Sequence, residues 1–510
     1  MTYCLPNPHF LTHFWLPINL LPAKSLSFYL LLASNMSPKN SVIIGREVEI
    51  RILNKLLHSK DPELLAIYGR RRVGKTFLIR SYYREHIVFS CTGQHNGKTS
   101  EQLVNFAQQL NLHFPDMKMM LAPATWQEAF ARLRERIDSM EGKGKKVIFF
   151  DELPWLDSHK SGFLSAFGYF WNTYVDKRGD LLVIICGSAA SWIINKVVNN
   201  KGGLHNRITQ RIRLLPFDLG ETKTYLHYKN INLDHYQILR PYMVLGGVPA
   251  YLNNVERGLS TEQNIEKCCF SKDGALTNEF TNLYSALFNT PDKHIEVIRA
   301  LARKNKGLTR SEILATAKLL TGGSITTVLT ELEESGFIQR TFPFGKKEKD
   351  SLFRLTDEYS LFYLKFMEKA GEHQFQRTQA YAAWCGYTFE NICIKHISQI
   401  KKTLQIGGVY TTISSWLQPG SESAAGAQID LLIDRADHCI NICEIKFSTV
   451  SFVIDKKYAE SLQNKIQAFR RTTATKKTLF LTLITTYGVV DNDYKTQRVD
   501  AEVTMNSLFG

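Results

Sequence analysis

The chain has 510 residues, 44% of them hydrophobic and 22% charged, the proportions of an ordinary soluble globular protein with room for about three domains. The formal net charge of +15 suggests an anionic partner, nucleic acid or a membrane surface, with a merely basic solvated surface as the alternative. Nine cysteines are scattered without zinc-site spacing, which fits reduced, mostly buried thiols and places the chain in the cytoplasm.

In chain order, the stretch from Phe14 to Ala33 is apolar but is interrupted by Pro17, Pro22 and Lys24. A spanning helix needs about 20 uninterrupted apolar residues. Met1 to Leu16 lacks the basic start of a signal peptide. The globular pattern begins just after Met36. Residues 1–35 therefore read as a non-native N-terminal extension, with translation starting at Met36, in preference to a membrane anchor; no stable membrane association is expected.

The spacing then predicts a helix over Glu47 to Leu57 and a buried strand at Leu64 to Tyr68 that ends in Gly69. A helix starts at Phe77, and a strand lies at Ile87 to Ser90. Ser100 to Met140 is helical in period. Strands follow at Lys145 to Phe150, Leu181 to Cys186 and Ile208 to Leu215, the last closed by Pro216. Strands alternating with helices imply a parallel, doubly wound sheet.

Beyond Pro216 the pattern turns helical, through a Gly246-Gly247-Val248-Pro249 break. Pro291 to Asp357 reads as helix, helix, helix, hairpin, with a capping box at Thr309 and Glu312 and a turn at Gly322-Gly323. This is the order of a winged helix. Its would-be recognition helix, Ser324 to Ser335, has no Lys or Arg and carries Glu331, Glu333 and Glu334. Such a surface repels phosphates, so an intramolecular lid or hinge is favoured over sequence reading. From about Ala380 a third unit has a helix at Tyr387 to Ile400 and strands near Val409 and at Gln428 to Ile433, Ile440 to Ile445 and Thr478 to Leu483.

A triphosphate needs many donors in a small space, and a Gly-rich turn feeding a helix offers backbone N–H groups and a positive helix end. Gly69, Arg70, Arg71, Arg72, Val73, Gly74, Lys75 and Thr76 fit that pattern between a strand and a helix, with Phe77 next. Lys75 is expected to reach the β and γ phosphates, and the Thr76 hydroxyl to ligate Mg²⁺. At the end of the next apolar strand, Asp151 is expected to hold the same ion and Glu152 to polarise the attacking water. Ser188, at the tip of Leu181 to Gly187, is placed to sense the γ-phosphate.

Ile44-Gly45-Arg46-Glu47, Gly69 to Thr76, Phe150-Asp151-Glu152, Gly187-Ser188 and Gly246 to Pro249 together resemble the archaeal-type AAA/STAND P-loop ATPase family, found in archaea and gut bacteria. The resemblance covers about Ser37 to Ala370 and, through the C-terminal unit, most of the rest. It implies ATP as ligand, an adenine pocket around Ile44 to Arg46 and a lid contact from Pro249. It also implies an arginine on the γ-phosphate, in cis or from a neighbouring copy. Gly203-Leu204-His205-Asn206-Arg207 matches best, with Arg211 behind it; Arg207 as a finger and Arg207 as a surface pair both stay open, as does self-association.

In the C-terminal unit, Asp430 lies on one apolar strand and Glu444 and Lys446 on the next, the last two on the same face. Two carboxylates from adjacent strands suit a divalent metal, and a neighbouring lysine suits activation of water for phosphodiester attack. Glu390, on the preceding helix, completes the set. The unit resembles the PD-(D/E)xK, restriction-endonuclease-like fold. Downstream cations at Lys456, Lys457, Lys465, Arg470, Arg471, Lys476 and Lys477 suit a nucleic-acid backbone, or else form the basic face of an amphipathic helix.

The expected fold is α/β: a P-loop NTPase core with a doubly wound parallel sheet over 36–218, a helical lid over 219–285, a winged helix over 286–372 and a nuclease-like α/β domain over 380–510. The expected function is an ATP-hydrolysing switch coupled to a DNA-interacting, metal-dependent nuclease-like domain. The alternative is a nucleotide-dependent regulatory module that binds protein or DNA without cutting.

Overall fold

A computed structural model describes residues 42–510 except 116, 143, 189–191, 199–203, 205, 289, 305, 319–323, 369–378 and 421–425. The reading of residues 1–35, the Gly322-Gly323 turn, and Gly203 and His205 lie outside the described residues. Ile44–Gly510 packs as one unit.

Its first part alternates helix and strand: α1 (Glu47–Leu57), β1 (Glu63–Tyr68), α2 (Lys75–Tyr82), β2 (Ile87–Thr92), α3 (Thr99–His113), α4 (Trp126–Asp138), β3 (Lys146–Asp151), α5 (Leu153–Leu156), α6 (Phe163–Thr173), β4 (Leu181–Gly187) and β5 (Gln210–Arg213). The five strands are parallel and lie in the order β2-β3-β4-β1-β5. Their central residues are apolar on both faces because helices cover both, so β4 is buried along its whole length. Aromatic side chains from α3, α4 and α6, among them Phe106, Trp126, Phe130, Phe163 and Phe167, fill one side of the sheet.

The single helical period expected over Ser100 to Met140 is two helices. Pro115 and Pro123 lie between them, and each disfavours helix at the residue before it. Thr125 then restarts the chain as an N-cap, its side chain accepting from the Glu128 amide.

The helical stretch follows as α7 (Leu219–Tyr228), α8 (His235–Leu245), α9 (Pro249–Leu252), α10 (Thr261–Cys269) and α11 (Glu279–Leu287). Next come α12 (Pro291–Ala302), α13 (Arg310–Ala317), α14 (Ser324–Glu334) and the antiparallel hairpin of β6 (Ile338–Thr341) and β7 (Leu352–Leu355). This is the three-helix and hairpin order expected from the sequence. A short helix, α15 (Glu358–Phe362), leads away from the hairpin.

The C-terminal part contains α16 (Gln379–Lys395), α17 (Ile397–Thr403), β8 (Thr411–Gln418), β9 (Ala427–Arg435), β10 (Cys439–Lys446), α18 (Lys456–Thr473), β11 (Thr478–Thr485), α19 (Asp493–Arg498) and β12 (Ala501–Thr504). The strand order is β12-β11-β10-β9-β8; β8, β9 and β10 are antiparallel, and β10, β11 and β12 are parallel. The one helix expected over Tyr387 to Ile400 starts earlier and breaks at His396. That ring is buried, its Nδ1 lies 2.8 Å from the Ile392 carbonyl, and its Nε2 accepts from the Leu219 amide at 3.0 Å. A helix-start amide elsewhere in the chain thus takes the histidine.

Candidate functional site: a phosphate loop and an acidic pocket

Parallel strands point the loops at their C-terminal ends the same way, and here those loops gather the expected nucleotide residues. Gly69 leaves β1 with φ +145°, and a Cβ there would meet the Leu214 carbonyl at 2.3 Å. Only glycine fits this close approach. Gly74 then caps α2 at its N-terminus.

Lys75 is buried and donates from Nζ to the Gly69 and Arg70 carbonyls, both at 2.9 Å, with Ser188 Oγ at 3.4 Å. Thr76 Oγ1 donates to Asp151 Oδ2 at 2.9 Å. Glu152, held at φ +45°, accepts from Ser188 Oγ at 2.6 Å and from the Ser188 amide at 3.1 Å. Lys75, Thr76, Asp151, Glu152 and Ser188 therefore form one cluster across the ends of β1, β3 and β4. A hydroxyl and a carboxylate converging at Thr76 and Asp151 suit a hard divalent cation such as Mg²⁺.

The variable residues of the loop behave differently. Arg71 and Phe77 are exposed. Arg70 is buried and ion-pairs with Asp357, while its guanidinium lies over the Phe337 ring at 5.1 Å and within 3.5 Å of the Tyr251 hydroxyl. Arg72 pairs with Glu279 at 2.9 Å, and Glu279 accepts from Tyr251 at 2.8 Å. The Arg70 and Arg72 side chains thus turn away from a ligand of the loop; only their backbone amides are left to face it. Arg46 is buried in a left-handed conformation, stacks on Phe217 at 4.5 Å and donates to the Val73 carbonyl at 3.3 Å. Its own amide donates to Glu221 Oε1 at 2.8 Å. Burial holds the Arg46 guanidinium below its ordinary range.

Pro249 opens α9 after a turn in which a Cβ on Gly247 would meet the Phe217 carbonyl at 2.1 Å. The same helix carries Tyr251 to the loop. Asp357, Glu279, Tyr251 and Glu221 were not legible as partners of the loop, because no local spacing marks them.

Arg207 does not reach the loop of its own chain. Leu65 pairs with Gln210 and Tyr68 with Arg213, so Arg207 lies at the opposite edge of the sheet, about 20 Å away at 3.3 Å per residue. There it is half-exposed and pairs with Asp176 at 3.4 Å. This corrects the cis alternative. Arg211 lies on β5, its side chain exposed.

The second site lies on the C-terminal sheet. Cys443 pairs with Leu431 in the antiparallel register, which puts Asp430 directly across from Glu444 on the same face. Glu444 is buried and accepts from Lys446 at 3.0 Å, Lys465 at 2.8 Å and Tyr458 at 2.8 Å. Burial opposes its ionisation, yet these partners hold it below the ordinary carboxylate range. Asp430 accepts from Gln428 Nε2 at 2.5 Å. Glu390 shares a pocket of about 310 Å³ with Asp430, Arg354 and Lys306. Burial first, then the Asp430 charge, push its carboxyl up to about 7. Its cationic partner is Arg354 of β7, at 3.6 Å.

The four expected residues are thus neighbours, but among the described residues no three His, Cys, Asp or Glu side chains converge as a metal-ligand set. Lysines and Tyr458 take Glu444, and Arg354 takes Glu390. The close pair of Glu390 and Asp430 still suits a divalent cation, because an added positive charge would offset both the burial and the Asp430 charge that raise the Glu390 carboxyl.

No described helix is long and apolar enough to cross a membrane. Residues 43–255 match the family of ATPase domains predominantly from Archaea. An uncharacterised protein of Methanocaldococcus jannaschii is 25% identical over 436 residues, covering 83% of this chain and 92% of that protein. Among solved structures, the chain is similar to the Walker-type ATPase of Pyrococcus abyssi, with a TM-score of 0.48, 20% identity, and 65% of this chain and 99% of that one covered. It is also similar to the ORC2 protein of Aeropyrum pernix in its ADPNP and ADP complexes, with a TM-score of 0.40, 14% identity, and 63% and 91% covered. Residues 43–255, carrying the phosphate loop and the Asp151-Glu152 pair, belong to the archaeal-type P-loop ATPases.

Proposed function

We propose that the chain is an ATP- and Mg²⁺-dependent switch whose nucleotide state is passed to a DNA-acting, metal-dependent nuclease-like unit at its C-terminus. One observation carries the coupling: a single strap, Leu352 to Glu358, touches both sites. Arg354 pairs with Glu390 in the acidic pocket. Three residues on, Asp357 holds Arg70 of the phosphate loop, and Glu358 takes Lys395 at 2.5 Å. The Leu355 carbonyl accepts from Tyr387 at 3.2 Å and from Asn391 at 3.3 Å, which ties the strap to α16.

Phosphates draw Lys75 off the Gly69 and Arg70 carbonyls to which it now donates, and this repositions Arg70. The buried Arg70–Asp357 pair passes that shift to the strap, since an uncompensated buried charge is too costly to leave behind. A shift of the strap loosens Arg354 from Glu390. In the ATPase site, Thr76 and Asp151 would hold Mg²⁺, Glu152 would orient the attacking water once Ser188 releases it, and Pro249 with Arg46 would border the base. In the C-terminal site, Glu390 and Asp430 would hold a divalent ion, and Lys446, paired with Glu444, would orient the water. A bound divalent ion supplies charge stabilisation at the phosphodiester. Arg207, where it acts on a nucleotide at all, does so on that of a second copy.

Plasmid incubated with Mg²⁺ or Mn²⁺, with and without ATP, tests this reading. Wild type should cut in a nucleotide-dependent manner and Lys446→Ala should not; no cutting by wild type under any condition overturns the nuclease. A second reading, a non-cleaving regulatory or binding module, is favoured by the engagement of Glu444 with two lysines. ATP-dependent DNA binding without cutting would establish it.

A further inference from the structure

A cavity of about 940 Å³ lies between α12, the helical turns after the hairpin, and α16. Among the charged side chains of its walls cations outnumber acids: Arg299, Arg303, Lys304, Lys306 and Lys365, against the single carboxylate of Glu368. Arg299 is spent on Glu296 and Glu368, and Lys304 lies 3.8 Å from Glu312. Arg303, Lys306 and Lys365 are exposed and have no carboxylate partner among the described residues. The floor is apolar, with Leu361, Leu364 and Trp384. The volume is at the upper end for a small-ligand pocket, about 300–1,000 Å³, and the lining combines cations with an apolar floor.

The groove also leads somewhere. Lys306, Ala383 and Tyr387 border both this cavity and the acidic pocket of Glu390 and Asp430. Ala380, Ala383, Tyr387 and Glu390 fall on one stripe of α16, so a single helix face runs from the cations to the carboxylates over about 15 Å at 1.5 Å per residue. Small side chains at Ala380, Ala383 and Gly386 keep that track low.

We propose that this groove binds a single polynucleotide strand and leads its backbone to the acidic pocket. Cations on the walls take phosphates, an apolar floor accepts sugar and base faces, and the one carboxylate among the cations, Glu368, is itself paired with Arg299, while Glu390 and Asp430 stand at the far end. The inference rests on the DNA-acting reading above and assigns the path to α12 and α16, not to the basic residues of α18.

Fluorescence anisotropy of a short labelled single-stranded oligodeoxynucleotide, titrated with the full chain at several salt concentrations, tests the groove. Arg303→Glu/Lys365→Glu should weaken binding about tenfold or more and lower the salt slope by about 1.4, the value for two lost phosphate contacts on a single strand. Ala383→Trp, which obstructs the track without changing charge, should also weaken binding. Arg470→Glu/Arg471→Glu on α18 should bind as wild type. An unchanged melting temperature and ATP hydrolysis rate show that the variants fold. Wild-type affinity in both groove variants overturns the inference, as does loss of binding only in the α18 variant. An RNA strand bound with the same loss in the groove variants supports the groove and changes only the strand it takes. The plasmid assay separates the two failures. Binding that depends on the groove without cutting keeps the groove and removes the nuclease. Metal-dependent cutting with groove variants that bind normally does the reverse.

Discussion

The phosphate loop and the acidic pocket satisfy their charges in opposite ways. At the loop, Lys75 donates to the carbonyls of its own neighbours, so the hydrogen bonds of the ligand-facing ammonium are made within a few residues of chain. At the acidic pocket, Glu390 depends on Arg354 from the hairpin and Glu444 on Lys465 from α18. Contacts made within one turn of backbone are set by the local chain. A site built from distant side chains is held by its surroundings, and is therefore open to control by them.

The largest expected effects test the compact site. Lys75→Ala and Glu152→Gln should each slow ATP hydrolysis by about 10²–10³-fold, as loss of a preorganised charged group does, with Glu152→Gln retaining nucleotide binding. Turnover at the wild-type rate in either variant would remove the assignment.

Next in size is the pair that joins the two regions. Asp357→Ala leaves Arg70 as a buried, unpaired charge and should cost about 3–5 kcal/mol in urea unfolding. Arg70→Met/Asp357→Leu should recover most of that loss yet uncouple ATP from the C-terminal site. Full coupling in the double variant would show that the strap is not the link.

The dispersed site should carry a pH signature. The folded Glu390 carboxyl keeps its proton up to about 7, whereas the unfolded one loses it near 4.5. The folded state therefore binds more protons in that window, and stability falls as pH rises through it. The loss should approach about 3 kcal/mol by the alkaline end, at about 1.4 kcal/mol per unit. Glu390→Gln should flatten this slope; an unchanged slope would place the titration elsewhere.

The smallest effect concerns Arg207. Its half-exposed pair with Asp176 should contribute at most about 1 kcal/mol, so Arg207→Ala should barely change the melting temperature. If hydrolysis nevertheless drops, and the wild-type rate rises with protein concentration, Arg207 acts on a neighbour's nucleotide.

Much of this was legible from residue order. Glu47 to Leu57 is the helix that its apolar spacing predicts, and the strands at 63–68, 146–151 and 181–187 follow their apolar runs. The break between α3 and α4 was written in Pro115 and Pro123 but was overridden by the helical period on either side. Strand alternation puts Glu444 and Lys446 on one face, whereas the antiparallel register that sets Asp430 opposite Glu444 is not recorded in the spacing. β12 was missed because four residues at a sheet edge carry too little pattern to stand out.

By itself, the sequence determined the phosphate loop, the carboxylates that follow β3 and the alternation that makes a parallel sheet, because each is a property of residues within a turn or a strand of one another. The fate of Arg70, which sits inside the most recognisable motif of the chain, was decided by the tertiary structure. Its partner Asp357 is 287 residues away, and only the packing of α9, α11 and the hairpin brings the two together. The same holds for Arg354 and Glu390. Burial strips water from these charges, so each must find an opposite charge wherever the fold presents one, and no spacing along the chain records where that is.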